Sequence, residues 1–215
     1  MTGTRTSVKP ERFKLTDNQF VHIERRDDDG WVIAFSDRNG TTLPTPGAFS
    51  VEASSSDHVV RTLKLAPGER PDTTNASGWV EFATHARIAL ETENGLLLRQ
   101  FRLSGTSEVA ADRGPLGGEA VDMGHGASVE LLRQSTDHWS IVFYEDGVET
   151  ATPEASLITV EIIDDKGDVQ VFPTRDGENP TVLVTDISCI VPARVRIAWS
   201  HGDHAHRREF DLART

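Results

Sequence analysis

The sequence predicts an all-β chain built as two tandem immunoglobulin-like antiparallel β-sandwiches that arise from an internal duplication. Three observations carry that expectation. First, the chain repeats itself. RRDDDGWVIAF at 25–35 returns as RQSTDHWSIVF at 133–143, and FSVEAS from Phe49 returns as ITVEII from Ile158. ARIALETENGLLLRQFRL from Ala86 returns as VRIAWSHGDHAHRREFDL from Val195, so the offset is 108–109 residues. A period found before elements are assigned protects the domain count. Second, apolar and polar residues alternate over short runs, the pattern of a half-buried strand. Third, turn signals punctuate the chain at the roughly 8–12-residue spacing of a sandwich, with no convincing helix between them.

The elements follow in order. Arg12–Leu15 is a short leading strand. Phe20–Arg26 and Trp31–Ser36 flank DDDG, and Phe49–Ala53 and Val59–Leu65 flank SSSDH. His85–Glu91 and Leu96–Leu103 flank Thr92-Glu93-Asn94-Gly95, a strong hairpin signal. In the second copy Glu119–Met123 leads, and Val129–Arg133 precedes Trp139–Tyr144. Leu157–Ile163 precedes Asp168–Phe172 across DDKG, and Ala193–Ser200 precedes His204–Leu212 across Gly202-Asp203. Each copy therefore has about seven strands. Ala66–Gly78 and Pro173–Pro180 read as irregular loops, because their Pro, Gly and Asp content opposes regular pairing. The expected boundaries are a first sandwich at 1–104, a linker at 105–118 and a second sandwich at 119–215. Within the linker, GPLGG reads as a turn entering the second copy.

Charge is unevenly spread. The 215 residues carry a net charge of −12. Residues 1–104 hold 13 basic and 14 acidic side chains, net −1, whereas residues 105–215 hold 9 and 20, net −11. So acidic a chain is a poor ligand for phosphate backbones or anionic membranes, which excludes nucleic acid as a partner. No apolar run approaches the length of a membrane span. The opening MTGTRTSVKPERF has no apolar h-region, which predicts a cytoplasmic protein. Cys189 is the lone cysteine, so no intrachain disulfide and no CxxC metal or redox motif exists. It lies in the apolar patch Ile187–Val191 and reads as a small buried hydrophobe. With Met1 and Met123 the only methionines, a methionine-rich copper(I) site is excluded.

The second copy carries a family resemblance. It opens on GPxGG at Gly114–Gly118, has acidic-hydrophobic alternation at Val129–Leu132 and a YxxDG turn at Tyr144–Gly147. Pro153 follows in a loop, and then the Val- and Glu-containing strand Thr159–Ile162. In these features residues 114–212 resemble the small N-terminal β-sandwich of periplasmic adaptor subunits of heavy-metal efflux systems. The adaptor's helical hairpin and barrel domains have no counterpart here. The resemblance implies a non-catalytic docking domain near metal traffic. It also implies a periplasmic location with a removed leader, against the cytoplasmic expectation above.

One cluster has the residue types of a metal site. In His201-Gly202-Asp203-His204-Ala205-His206, a two-residue turn at Gly202-Asp203 makes His201 and His204 a cross-strand pair. His206 lies two residues on, on the same face as His204. Three imidazoles on one hairpin suit Zn²⁺, Ni²⁺ or Cu²⁺, with Asp203 as a fourth ligand or an outer acceptor. The first copy has Glu93-Asn94-Gly95-Leu96-Leu97 there, so the fold does not need the histidines. His125, in Gly124-His125-Gly126, is a turn residue that joins such a site only if the loops meet. Trp31 and Trp139 read as core, and Trp79 and Trp199 occupy unmatched positions. Asp27–Asp29 and Asp164-Asp165 sit in turns without the spaced ligands of a calcium loop. No nucleophile elbow, HExxH, Walker or dinucleotide fingerprint is present, so no enzyme is expected and no cofactor is required.

Three functions remain in view. One is a non-enzymatic interaction module with a candidate divalent-metal site on the C-terminal hairpin and a protein partner. Another is a structural or decorating component of a larger assembly. The third is a carbohydrate-binding sandwich, which core-facing tryptophans weaken.

Overall fold

A computed structural model describes residues 10–26, 30–78, 80, 83–104, 106, 110–135, 137–187, 193–201 and 204–212, with backbone alone for His201 and His204. Asp27–Asp29, Trp79, Cys189 and Asp203 lie outside the described residues. Contacts divide the chain into two units, Met1–Ser56 with Arg61–Ser107, and Asp57–Val60 with Glu108–Thr215.

The first unit is all β. Its strands are β1 (Glu11–Lys14), β2 (Gln19–Arg25), β3 (Gly30–Asp37), β4 (Thr42–Leu43) and β5 (Phe49–Ser55). They continue with β6 (Val60–Thr62), β7 (Lys64–Pro67), β8 (Thr73–Ser77), β9 (Ala83–Thr92) and β10 (Gly95–Arg102). One sheet runs β1-β2-β3-β8-β7 with β4 on β3, and the other runs β10-β9-β5-β6. The second unit has β11 (Asp112–Arg113), β12 (Glu119–Gly124), β13 (Ala127–Arg133), β14 (Trp139–Glu145), β15 (Val148–Glu149) and β16 (Ile158–Ile163). It ends with β17 (Val169–Pro173), β18 (Arg175–Asp176), β19 (Val182–Thr185), β20 (Arg194–His201) and β21 (His204–Asp211). Its sheets run β11-β12-β13-β14-β19-β18, with β15 on β14, and β17-β16-β20-β21. A single 3₁₀ turn at Ala155–Leu157 is the one helical element among the described residues.

Each core lies between its two sheets. In the first unit Val21, Ile23, Trp31, Ile33 and Phe35 of one sheet meet Val51, Ala53, Ala86, Ile88 and Phe101 of the other. In the second, Val129, Leu131, Trp139 and Ile141 meet Val160, Ile162, Val195, Ile197 and Phe210. Inward residues fall at every second position because strand side chains alternate.

The pairing registers of the two units correspond. Arg25 opposes Trp31 and Ile23 opposes Ile33; Arg133 opposes Trp139 and Leu131 opposes Ile141. Val51 opposes Ile88 and Ala53 opposes Ala86; Val160 opposes Ile197 and Ile162 opposes Val195. These are the residue pairs that the sequence repeat aligns.

Two supposed loops contain strands. Within 66–78, β8 (TTNAS) pairs with β3, and within 173–180, β18 pairs with β19. Threonine's branched side chain suits a pleated sheet, and Thr73, Thr74 and Ala76 are buried. The expected single strand Val59–Leu65 is two, β6 and β7, which join different sheets.

The GPLGG entry has a physical explanation. It folds over the side chain of Glu130, which is fully buried. The Glu130 carboxylate accepts from the backbone N–H of Gly118 at 2.7 Å and of Leu116 at 3.0 Å, and from the Tyr144 hydroxyl at 2.8 Å. A Cβ on Gly114 would strike the Glu130 carboxylate, and one on Gly118 would strike the Leu131 carbonyl. Glycine is therefore required at both ends of the turn. Burial, together with the hydrogen bond to Glu130 and that residue's charge, raises the Tyr144 phenol far above its ordinary value.

A second buried carboxylate ties β20 to β21. Glu209 is fully buried and accepts from Arg194 Nε at 3.0 Å and from Arg196 Nε at 2.5 Å. Arg194 also reaches Asp211 at 2.9 Å, and Arg196 lies 3.7 Å from Glu161. Burial alone would raise the Glu209 carboxyl, but the Arg196 and Arg194 guanidiniums outweigh it and hold the group at about 2.

A carboxylate depressed in the fold contributes stability above its unfolded pKa, and that contribution disappears as pH falls through the folded value. Urea unfolding of the wild type is therefore expected to show stability falling from about pH 5 toward pH 2. Glu209→Gln leaves two buried guanidiniums short of a counter-charge. It should cost about 3–5 kcal/mol at pH 7 and flatten that acid limb. An unchanged urea midpoint would contradict this assignment.

Candidate binding site

A cleft of about 1030 Å³ opens at one end of the second sandwich. Three chain segments and two strands form it. The β12–β13 turn supplies Gly124 and His125. The end of β14 supplies Phe143 to Glu145. The connection from β15 to β16 supplies Thr150 to Glu154 and Leu157. Trp199 comes from β20 and His206 from β21.

Local sequence explains how each part is placed. His125 and Gly126 form a two-residue turn with φ of 57° and 80°, and Gly124 and Ala127 flank it as a pair. Both central residues of such a mirror-image turn need positive φ, which glycine takes freely and histidine at modest cost. Asp146 and Gly147 form a like turn with φ of 51° and 79° between β14 and β15. The Asp146 N–H donates to the Gly126 carbonyl at 2.9 Å, which ties the two turns together. His125 is thereby held over the cleft.

The floor is aromatic. Phe143 is buried and meets the partly buried Trp199 edge-on, with ring centroids 6.2 Å apart and planes at 73°. Trp199 lies 5.7 Å from His206, its register partner. The His206 ring meets the His125 ring at 5.9 Å, nearly perpendicular. Four rings thus run from the core to the turn. The Phe143–Trp199 and His125–His206 contacts are edge-to-face, a favoured geometry for aromatic pairs, whereas the Trp199 and His206 planes are tilted by 35°. Glu145 and Glu154 are exposed carboxylates in the lining, which includes no Lys or Arg.

The hairpin histidines fall as follows. His201 and His204 are directly opposed in register, so the cross-strand pair expected from Gly202-Asp203 exists at the backbone level. His206 is two residues on, in the cleft. Asp203 lies outside the described residues. Among the described residues no group of three or more His, Cys, Asp or Glu clusters closely enough to hold a metal ion. The ring contact between His125 and His206 shows that the loops do meet. Parity alone places His206 on the inward face, but nothing local in the sequence signals its contact with His125, more than 80 residues away.

Two other histidine clusters are structural in character. His138 Nδ1 lies 3.0 Å from Asp186, which also binds Arg175. Hydrogen bonds from Arg175 and His138 hold the exposed Asp186 carboxyl at about 2. His22 Nε2 lies 2.8 Å from the Ser36 hydroxyl, but Ser36 is buried and out of reach of a substrate. Burial, with the Arg12 charge, lowers the His22 imidazole. Asp164 accepts from the N–H groups of Lys166 and Asp168 at 2.9 and 2.8 Å and so serves its own turn.

Comparison with protein-family models and with curated proteins finds no match. No helix among the described residues is long and apolar enough to cross a membrane.

The positive φ at His125 makes a specific prediction. His125→Asn keeps a residue that tolerates this conformation, and the melting temperature should stay within a degree or so of wild type. His125→Val places a β-branched residue there and should cost about 1–2 kcal/mol. Equal melting temperatures for the two variants would show that the turn is not conformationally demanding.

Proposed function

We propose that this chain is a non-enzymatic binding module whose second sandwich engages a partner in the cleft at Trp199 and His206. The observation that carries the reading is the aromatic floor. Trp199 packs on the core, meets the His206 ring at 5.7 Å, and lines a solvent-open cavity of about 1030 Å³. That volume is at the upper end of ligand sites, which are typically apolar clefts with a few polar groups.

Fold considerations support it. We infer that both units are immunoglobulin-like and descend from a duplication. In the first unit β2-β3-β8-β7 and β10-β9-β5 follow the ABED and GFC strand orders of that class. In the second, β13-β14-β19-β18 and β21-β20-β16 do the same. By that correspondence the β14–β16 connection and the β20–β21 hairpin are the B–C and F–G loops, which variable domains use to bind. This last step is analogy between folds.

A chemical screen tests the reading. Saturation-transfer NMR against a mixed library of peptides, glycans and small organic molecules should yield ligands of the wild type. Ala151→Trp, at an exposed position in the cleft wall, should abolish their signals without lowering the melting temperature. Ligands that bind both proteins equally would place recognition elsewhere.

A second reading, a divalent-metal site at His201, His204 and His206 with Asp203, is favoured by the opposed register of His201 and His204. The resemblance at 114–212 implies a docking domain near metal traffic. Calorimetry with Zn²⁺, Ni²⁺ and Cu²⁺ should show micromolar binding that His204→Ala/His206→Ala removes. Absence of heat at micromolar metal would end this reading and leave the cleft reading intact.

A further inference from the structure

We infer that the cleft takes a cationic ligand, specifically an arginine-bearing segment of a partner protein. The inference rests on the cleft-binding reading and names its ligand class.

Charge is the first argument. Glu145 and Glu154 both lie in the lining, and no Lys or Arg does. The Glu145 carboxylate is exposed and accepts no hydrogen bond from the described residues, so its acceptor capacity is open to an incoming donor. Glu154 accepts from the Ser156 hydroxyl at 2.6 Å and keeps a second oxygen. Arg208 is not in the lining, but its guanidinium lies beside the lining residue Gly124, where its Nε donates to the Asp122 carbonyl at 2.6 Å. Around this site residues 105–215 carry 9 basic and 20 acidic side chains, net −11. That field favours the approach of cations and repels anions.

Aromatic surface is the second argument, and it is independent of charge. Indole is the strongest of the side-chain cation–π acceptors, and a guanidinium stacks flat on it while its edge donates to carboxylates. The Trp199–His206 surface with Glu145 and Glu154 at the rim provides both halves of that recognition. Bidentate pairing to a carboxylate adds direction that an ammonium lacks.

Size is the third. A cavity of about 1030 Å³ is far larger than a metal ion or a single side chain needs. An arginine together with its flanking backbone fits it better. Thr150, which borders the cleft, offers its hydroxyl to such a segment, whereas the Thr152 hydroxyl and N–H donate to the Pro180 carbonyl.

The test uses the full chain and four amidated peptides of sequence acetyl-Gly-Gly-X-Gly-Gly, where X is arginine, citrulline, lysine or glutamate. Binding is read from the Trp199 indole and the His206 and His125 ring resonances in NMR titrations. The arginine peptide should shift these resonances and bind roughly tenfold more tightly than the citrulline peptide, which has the same shape without the charge. Lysine should fall between them, and glutamate should not bind. Glu145→Gln/Glu154→Gln should weaken the arginine peptide several-fold, and Ala151→Trp should abolish its binding. Citrulline or glutamate binding as tightly as arginine would overturn the cationic specificity while leaving the cleft as a binding site. Arginine binding that Ala151→Trp leaves unchanged would overturn both. The absence of any shift at millimolar arginine peptide would overturn this inference, and the library screen would then decide the cleft reading by itself.

Discussion

Pairing register between the central strands governs everything else in each unit. Side chains alternate across a strand with a period of two, so a slip of one residue would expose a whole inward set. With Arg25 opposite Trp31 and Arg133 opposite Trp139, both tryptophans point between the sheets, 5% and 1% exposed. Losing a buried tryptophan costs about 3–5 kcal/mol, a large part of the stability of a domain this size. The penalty for the wrong register is therefore large, and the right one is strongly specified. The β20–β21 register in turn puts Trp199 opposite His206 and so sets the floor of the cleft.

Alternation also sends polar groups outward, yet two of those carboxylates are buried. Glu130 lies under the GPLGG turn and Glu209 between two arginines. A buried charge is tolerated only when it is paired and hydrogen-bonded. Glu130 meets that condition with two backbone donors and a phenol, Glu209 with two guanidiniums. The two solutions differ in consequence. Neutral donors around Glu130 restrict the turn's sequence to glycine at its ends. Charged donors around Glu209 make its contribution depend on pH.

Strands with apolar alternation were legible from the sequence, and so was the hairpin register that opposes His201 and His204. The β8 strand was not, because TTNAS has the composition of a turn and lacks apolar alternation, although it pairs with the neighbouring β7 as well as with the distant β3. GPLGG was legible as a turn, but its target was not, since nothing local to Gly114–Gly118 points to Glu130. The cleft is a case of the same kind. His125 shows locally only as a turn residue. Its meeting with His206 depends on how β12, β14 and β21 are brought to one end of the sandwich, and that is a property of the whole unit.

Comparing the units argues that the cleft residues were not chosen for folding. At the register position of Trp199 and His206 the first unit pairs Leu90 with Leu97. Leu90 is buried and Leu97 packs against the core, so two aliphatic side chains suffice to close that end of a sandwich. Replacing them by an indole and an imidazole gives amphipathic rings that favour a wet, cation-attracting boundary over a sealed one. The excess acidic charge lies in the same half of the chain. Charge and exposed aromatic surface are each common on proteins. Their joint appearance in one unit, where the other closes the same position with leucines, is what the proposed recognition site requires and a fold does not.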